Sequence, residues 1–248
     1  MLEPLGGIGS YFKPGQKVLV KPNLLSAKPV ESAVTTHPSV IKAVVTLIKE
    51  NGGIPVVADN PAVESCTKVL GKIKLKEWLE ENDVKYFEFK KFLEVKCPEG
   101  RLYHKLEISE DILSTDVVIS LPKLKTHGMM ILTLGVKNMF GCVSDTGRIQ
   151  WHLKAGRDYA VFGKMLAQVY ELAKPALTIV DGITGMEGNG PGSGDPVKLG
   201  FLTAGADAAA VDSVICSILG VPPLQLYTNR AVKEYGIGET ELSSIEVL

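Results

Sequence analysis

Short runs of aliphatic and β-branched residues alternate along the chain with longer segments whose apolar residues recur at helical spacing. This alternation predicts an α/β fold in which a mostly parallel sheet is covered by helices. The runs predict strands over residues 17–21, 54–58, 116–121, 176–180, 198–203 and 244–247. The longer segments predict helices over residues 37–50, 75–81, 159–173, 208–219 and 223–234.

The stretch 84–108 departs from this alternation. Strand-like pieces around Phe87, Val95 and Leu102 predict a small antiparallel excursion there. The chain has 248 residues, of which 45% are hydrophobic and 22% charged, and it contains no repeat. These values are typical of one α/β domain over residues 1–248 and exclude a disordered chain.

Polar residues directly follow four of the predicted strands. Lys21 and Asn23 follow the first strand, Asp59 the second, the segment 123–127 the third and Asp181 the fourth. Because the carboxyl ends of parallel strands converge at one edge of a sheet, we expect these side chains to share a pocket. The alternative is that strand ends turn polar simply because they meet water.

Charge is balanced over the whole chain, with 27 basic and 28 acidic residues, but it is not balanced locally. The balance, together with 6% aromatic residues, argues against a nucleic-acid partner. Between residues 121 and 164, however, basic residues outnumber acidic ones, and such an excess is expected to bind a small anion, a carboxylate or a phosphate. The basic residues are Lys123, Lys125, Lys137, Arg148, Lys154, Arg157 and Lys164, against Asp145 and Asp158.

Lys125, His127, Lys137 and Asp181 are the candidate catalytic residues. In an extended segment Lys125 and His127 point to the same side, so the imidazole lies beside a cation and could serve as an acid, a base or a metal ligand. Lys137 lies in the apolar stretch 132–140, where a buried lysine needs a partner.

Carboxylates near the strand ends suggest a metal site. Asp59, Asp181, Glu187 and Asp212 offer the oxygen ligands that Mg²⁺ or Mn²⁺ prefers. The segment 182–194 has six glycines in thirteen positions and predicts a loop whose backbone can approach a ligand closely. Turn chemistry is the alternative for this loop, and neither a Rossmann fingerprint nor a P-loop motif is present in the sequence.

The positions of the cysteines indicate which cofactor the chain can hold. The lengths of the apolar stretches indicate where the protein is located. Cys66, Cys97, Cys142 and Cys216 are far apart, which predicts reduced thiols rather than an intrinsic iron–sulphur cluster. No apolar stretch approaches the roughly 20 residues that span a bilayer, and residues 1–15 lack the features of a signal peptide. We therefore expect a cytoplasmic protein with no membrane partner.

Five segments together carry a family resemblance. They are VLVKPNLL (18–25), THPSVIKAVV (36–45), DVVISLPKLKTHGMMILTLGVKNMFG (116–141), DGITGMEGNGP (181–191) and AGADAAAVDSVICSILG (204–220). The most specific motif is K-x-K-T-H followed by L-T-L-x-x-K-N-x-x-G. In these segments the chain resembles the domain of unknown function 362 family, many of whose members carry a ferredoxin-like module for iron–sulphur clusters.

The resemblance implies a set of ligand-contacting positions that overlaps the strand-end set. Among these positions, the expected ligand or cofactor contacts are Lys21, Asn23, His37, Lys123 and Asn138. Gly188 and Gly190 are further expected contacts, selected from the glycine-rich segment 182–194 and not from the resemblance. For His37, which precedes Pro38, the alternative is a helix cap.

Two hypotheses of function follow. The first is an enzyme or binding protein for a small anionic substrate, assisted by a metal. The alternative is a redox-associated module that works with a separate ferredoxin-like partner, since this chain lacks the clustered cysteines of the family's module.

Overall fold

The computed structural model describes residues 1–156 and 158–248. The strands are β1 Lys17–Pro22, β2 Ile54–Asp59, β3 Lys85–Glu88, β4 Phe92–Lys96, β5 Lys105–Ser109, β6 Val117–Leu121, β7 Lys123–His127, β8 Ile131–Thr133, β9 Leu177–Glu187 and β10 Asp195–Gly205. The α-helices are α1 Pro38–Glu50, α2 Cys66–Lys72, α3 Lys76–Glu81, α4 Glu110–Ser114, α5 Gly135–Asn138, α6 Asp145–Ala155, α7 Tyr159–Ala173, α8 Ala208–Ile218 and α9 Tyr227–Tyr235.

One large mixed sheet forms the centre of the fold. Its first five strands lie in the order β3-β2-β1-β6-β9 and are all parallel. After Pro122 the chain continues from β6 into β7, which runs parallel to the later part of β9 and pairs on its other edge with β8. β10 pairs antiparallel with β9. This architecture confirms the predicted α/β fold with a mostly parallel sheet.

Helices cover the sheet on both faces because side chains alternate along each strand. Val18 and Val20 of β1 belong to a core cluster with the apolar residues of α1 and α2. Leu19, between them, belongs to a second cluster with the apolar residues of α7. Each aliphatic side chain that is fully buried in these layers contributes about 1.5–3 kcal/mol to stability.

The antiparallel excursion is confirmed, although only the piece around Val95 is one of its strands, because Leu102 precedes β5 and is not in a strand. β4 and β5 form a separate two-stranded antiparallel sheet, with Phe92 opposite Ser109. β3, which the sequence placed in the same excursion, instead pairs parallel with β2 and forms an edge of the main sheet. Val84, which directly precedes β3, packs in the same apolar cluster as α1 and α2, so the segment begins in the main core.

Three sequence predictions of local structure are wrong. The predicted glycine loop 182–194 is strand up to Glu187, because β10 pairs with it from Asp195 onward. The predicted helix 223–234 begins with a single 3-10 turn, Pro223–Gln225, before α9 starts at Tyr227. The predicted strand 244–247 is not formed, and Leu242–Ser244 is a 3-10 turn instead.

None of the described helices is long and apolar enough to cross a bilayer.

Candidate functional site

A small basic cavity lies at the carboxyl ends of β1 and β2, where these strands meet α5 and α6. Its volume is about 80 Å³. Ends of neighbouring parallel strands converge here, as expected for a ligand crevice in an α/β sheet. The lining residues are Lys21, Asn23, Leu25, Asp59, Asn60, Ala62, Lys137, Asn138, Phe140, Gly141 and Arg148.

A buried ion pair forms the floor of this basic cavity. The Nζ atom of Lys21 lies 2.6 Å from Oδ1 of Asp59, and both side chains are at most 4% exposed. The other Asp59 oxygen accepts the backbone N–H of Leu24 at 2.8 Å. Each buried charge is thus compensated, and Asp59 is held by the strand end next to it.

Gly141 packs directly against this ion pair. A Cβ atom at Gly141 would lie 2.7 Å both from Asp59 Oδ1 and from Lys21 Nζ, which is closer than real Cβ contacts. The site therefore needs glycine at this position. Sequence reasoning did not select Gly141, although it ends the K-N-x-x-G motif.

An amide network joins β1, β7 and α5 behind the cavity. Lys125 Nζ donates to Asn23 Oδ1 at 2.7 Å and to the Val34 carbonyl at 2.8 Å. Asn138 donates to Ser120 Oγ at 3.0 Å and accepts from Asn23 at 3.5 Å. Burial, followed by the charges of Lys137 and Lys123, lowers the pKa of Lys125 well below its usual value. Lys125 therefore holds Asn23 in position from inside the protein.

Lys137 projects into the cavity from α5, a short helix that is fixed at its start by α8. Asp212 of α8 accepts the backbone N–H groups of Gly135 at 2.7 Å and Val136 at 3.1 Å. A Cβ atom at Gly135 would lie 3.0 Å from Asp212 Oδ1, so the close approach of the two helices requires glycine. Burial raises the pKa of Asp212 to about 7 despite these bonds.

The Lys137 ammonium has no hydrogen-bond acceptor or carboxylate partner among residues 1–156 and 158–248. Its Nζ lies 5.9 Å from the centroid of the Phe140 ring. Burial, followed by the charges of Arg148 and Lys21, lowers the pKa of Lys137 to about 8. The sequence analysis predicts that Lys137 needs a partner if it is buried. In the described part of the chain, Lys137 faces the cavity without a partner.

Arg148 of α6 supplies the remaining cation of the cavity. It donates to the carbonyls of Asn60 at 2.7 Å and Pro61 at 3.3 Å, and it pairs with Asp145. Sequence reasoning counted Arg148 in the local basic excess but did not select it as a site residue. Arg157, also counted in that excess, lies outside the described residues.

His127 lies at the end of β7 and does not have the properties expected of an acid or base. Its Nδ1 atom accepts the backbone N–H groups of Met129 at 3.1 Å and Met130 at 3.3 Å. Burial, followed by the charges of Lys137, His152 and Lys125, lowers its pKa to about 3. The imidazole is therefore neutral near pH 7 and stabilises a turn, which corrects the prediction of an acid–base group titrating near neutrality.

Asp181 and Lys123 form a second buried ion pair, away from the cavity lining. Their N···O distance is 2.7 Å and neither side chain is more than 2% exposed. Asp181 also accepts the backbone N–H groups of His37 at 2.7 Å and Ile183 at 3.1 Å. With its oxygens occupied, Asp181 joins β9, β7 and the start of α1. The predicted catalytic role of Asp181 and the ligand contact of Lys123 are not supported by this geometry.

His37 is a helix cap, as in the alternative interpretation of the sequence. It is the N-cap residue of α1, and its Nδ1 atom accepts the backbone N–H of Ser39 at 3.2 Å. A ligand contact at His37 was predicted, but the ring is engaged within its own turn.

The four predicted metal-binding carboxylates do not form one ligand set. Asp59 pairs with Lys21, Asp181 pairs with Lys123 and Asp212 binds the start of α5. Glu187 is exposed near the end of β9. Over residues 1–156 and 158–248, no three His, Cys, Asp or Glu side chains come together as ligands for a metal ion. This corrects the predicted grouping of these carboxylates.

Gly188 and Gly190 lie in the turn between β9 and β10, and this turn packs onto β7. The Thr126 hydroxyl donates to the Gly188 carbonyl at 3.0 Å. A Cβ atom at Gly190 would lie 2.2 Å from the Thr126 carbonyl oxygen. Gly190 therefore permits close backbone packing, and Gly188 has a φ of 70°, which glycine adopts without strain. Both observations correct the prediction of cofactor contacts in favour of turn chemistry.

The four cysteines are free and buried. Cys216 belongs to α8 and packs within an apolar cluster. Burial raises the pKa values of Cys66, Cys142 and Cys216 to about 12, so these thiols are neutral.

A larger cavity, of about 410 Å³, lies between β10, α8 and the two ends of the chain. Its lining is mainly apolar, and its charged lining residues are Asp207 and Glu246, which are both acidic. This cavity therefore does not suit an anion, whereas the smaller basic cavity does.

Comparisons with known proteins agree with this fold. A family model described as "Domain of unknown function (DUF362)" matches residues 18–217. A thylakoid-associated protein of Synechocystis sp. is 40% identical over 240 residues, which cover 97% of this chain and 74% of that protein. The structure of the lactate racemase apoprotein from Thermoanaerobacterium thermosaccharolyticum superposes with a TM-score of 0.52 at 14% sequence identity. The superposition covers 83% of this chain but only 48% of the racemase chain, and it shows a shared fold.

Proposed function

The chain belongs to the domain of unknown function DUF362 family, and we propose that it binds a small carboxylate or phosphate ligand in the basic cavity. The observation that carries this proposal is the Lys137 ammonium, which faces the cavity without a partner in the described part of the chain. A partly buried cation is costly unless an anion compensates it. A bound anion would supply that compensation.

The charges around the cavity favour an anion over a cation. Lys21, Lys137 and Arg148 line it, and Asp59 is the only carboxylate in the same lining within residues 1–156 and 158–248. Asp59 is already compensated by Lys21 at 2.6 Å. Arg148 is paired with Asp145. A ligand carboxylate or phosphate would therefore meet the uncompensated positive charge of Lys137, in a place where partial burial strengthens electrostatic interactions.

The polar groups in the lining suit the same ligand class. The side-chain amides of Asn23 and Asn138 also line the cavity. Asn138 Nδ2 donates to the Lys21 carbonyl and to Ser120 Oγ, so Asn23 is the amide with an N–H left for a ligand. A volume of about 80 Å³ accommodates only a few non-hydrogen atoms. We therefore expect a ligand the size of phosphate or of a three-carbon acid.

Thermal unfolding with added phosphate tests the proposal. A ligand at a hundred times its Kd stabilises the folded state by about 2.7 kcal/mol, so the melting temperature should rise by several degrees. Lys137→Met should abolish this rise. Without phosphate the variant should melt at the same temperature as the native chain or above it, because methionine removes a partly buried unpaired charge.

Lys68→Met is the matched control, because Lys68 is an exposed lysine on α2. This variant should keep the full phosphate response. An equal phosphate response in the Lys137→Met variant would contradict the proposal and move the anion site elsewhere.

A further inference from the structure

We propose that Lys137 is a nucleophile that forms a Schiff base with a carbonyl-bearing anion such as a 2-oxo acid. This inference rests on the proposed function, because the cations of the cavity must hold the carboxylate while the amine reaches the carbonyl carbon. It adds a substrate class and a covalent step to a site assigned so far only to binding.

Lys137 differs in its contacts from the buried lysines of this region. Lys21 is paired with Asp59 and Lys123 with Asp181. Lys125 donates to the Asn23 side chain and to a backbone carbonyl. Within residues 1–156 and 158–248, the Lys137 amine has no such acceptor. Its nitrogen is therefore able to attack a bound ligand.

The Lys137 amine is also easier to deprotonate than an ordinary lysine. Partial burial and the neighbouring cations Arg148 and Lys21 lower the pKa of Lys137 to about 8. At pH 7 about one lysine in ten is then a free amine, compared with about one in three thousand for an unperturbed lysine. Desolvation beside other cations is a recognised way of activating a lysine nucleophile.

The position of Lys137 in the cavity suits attack on a bound ligand. Lys137 belongs to α5, whose first N–H groups are bound by Asp212, so its backbone is fixed relative to the sheet. The Phe140 ring forms one wall of the cavity beside the amine, and Arg148 lines the same space. Arg148 uses part of its guanidinium to bind Asn60, Pro61 and Asp145. A carboxylate that accepts its remaining N–H groups would bring the adjacent carbonyl carbon toward Lys137, and such positioning contributes to rate.

The proposed chemistry balances without an oxidant or reductant. The neutral Nζ attacks the carbonyl carbon, a C–N bond forms, and the carbonyl oxygen takes up the proton that the nitrogen loses. The hydroxyl then leaves as water after a second protonation. Overall, a lysine ammonium and a ketone give a protonated imine and one water. The imine draws electrons from the neighbouring carbon, so proton exchange there is the reaction class that it supports.

Reductive trapping tests this step. The native chain is incubated with pyruvate and sodium cyanoborohydride, digested and mapped by mass spectrometry. We expect one dominant reduced adduct, on the peptide that contains Lys137, at least tenfold above the adduct on exposed Lys68. Excess phosphate should suppress it, because phosphate competes for the same cations.

Lys137→Arg separates the two proposals, because arginine keeps the positive charge but cannot form the imine. This variant should retain stabilisation by phosphate and lose the dominant adduct. Phosphate stabilisation of the native chain without a Lys137 adduct would overturn the Schiff base and leave anion binding intact. Adducts spread over exposed lysines would also overturn it. Absence of both stabilisation and adduct would contradict both proposals.

Discussion

Four buried or partly buried lysines cluster around the end of the sheet, and each has a different set of contacts. Lys21 and Lys123 are compensated by aspartates, and Lys125 is held by an amide and a carbonyl. Lys137 faces the cavity. Removing a charge from water costs several kcal/mol unless a partner compensates it. At the scale of single residues, the described contacts therefore support the proposal of a ligand at Lys137.

His127 should make the protein less stable in mild acid. Its pKa is about 3 in the folded chain, below the ordinary value of 6.5, so the unfolded chain takes up the proton first. The stability that His127 contributes is fully present above pH 6.5 and is lost as the pH falls toward 3. Between pH 6.5 and 5 the loss should be about 1–2 kcal/mol, measured by urea unfolding.

His127→Asn isolates this effect, because the Asn Oδ1 atom can replace Nδ1 as the acceptor in the turn. This variant should lose less stability between pH 6.5 and 5 than the native chain. His104→Asn, at an exposed position, is the control and should leave the pH dependence unchanged. An unchanged pH dependence in His127→Asn would mean that the imidazole does not resist protonation.

Gly141→Ala should damage the cavity floor. The new Cβ would lie 2.7 Å from both members of the Lys21–Asp59 pair, so the pair must move. We expect a loss of about 1–3 kcal/mol in the free energy of unfolding, as for other overpacked sites, together with weaker phosphate binding. Calorimetric titration and urea unfolding measure the two effects.

Gly71→Ala is the matched control. Gly71 lies within α2, and a Cβ there meets no atom within 4 Å. Alanine should stabilise this helix by about 0.4–1 kcal/mol and leave phosphate binding unchanged. If Gly141→Ala bound phosphate as tightly as the Gly71→Ala control, the ion pair would not belong to the site.

At the scale of elements, β7 depends on contacts distant in sequence. It continues from β6 along β9, and the Lys123–Asp181 pair joins the two strands at the register position where they meet. The turn after β9 packs onto Thr126 of the same strand. The position of β7 next to Asn23 thus depends on β9 and its hairpin.

Breaking the Lys123–Asp181 pair should be strongly destabilising. Lys123→Met or Asp181→Asn alone should cost about 3–5 kcal/mol, because each leaves a buried polar partner uncompensated. The double variant should cost clearly less than the sum of the two single variants. Urea unfolding of all four proteins gives the coupling energy.

The exposed pair of Lys105 and Glu94 provides the comparison, since both side chains are about 60% exposed. Its coupling energy should be below about 1 kcal/mol. Coupling energies of equal size in the two pairs would contradict the structural role given to the buried pair.

The sequence predicted the elements whose patterns are local. The apolar spacing in α1 and the alternating strands of the parallel core could be read from a window of residues. β7 could not be predicted from such a window, because its residues Lys123 and Lys125 are polar. They can be buried in the fold because Asp181 of β9 and the Val34 carbonyl act as their partners. The glycines after Asp181 were assigned to a loop for the same reason, since their pairing with β10 is not visible in the segment itself.

Site residues were predictable by position but not by role. The strand-end rule selected Lys21, Asn23 and Asp59, which line the cavity. The same rule selected Asp181, which is occupied by Lys123 and two backbone N–H groups. Whether a strand-end carboxylate meets a ligand or a lysine depends on which side chains the fold brings next to it. The spacing of residues along the sequence does not show which side chains these are.

At the scale of the whole molecule, the sheet brings together residues from separate parts of the chain. Lys21, Asp59, Lys137 and Arg148 come from β1, β2, α5 and α6 and line one cavity. The match to the DUF362 family covers residues 18–217 and therefore includes all four. Bound Mg²⁺ or Mn²⁺, a ferredoxin-like partner and a cytoplasmic location stay predictions from the sequence.

The central claim is that the basic cavity at the ends of β1 and β2 binds an anion. Diffraction from crystals soaked in selenate tests it most directly, because selenium scatters anomalously and selenate resembles phosphate in size and shape. The account predicts an anomalous peak within hydrogen-bond distance of Lys137 Nζ, lost in crystals of Lys137→Met. A peak confined to other surfaces, or one that persists unchanged in that variant, would contradict the account.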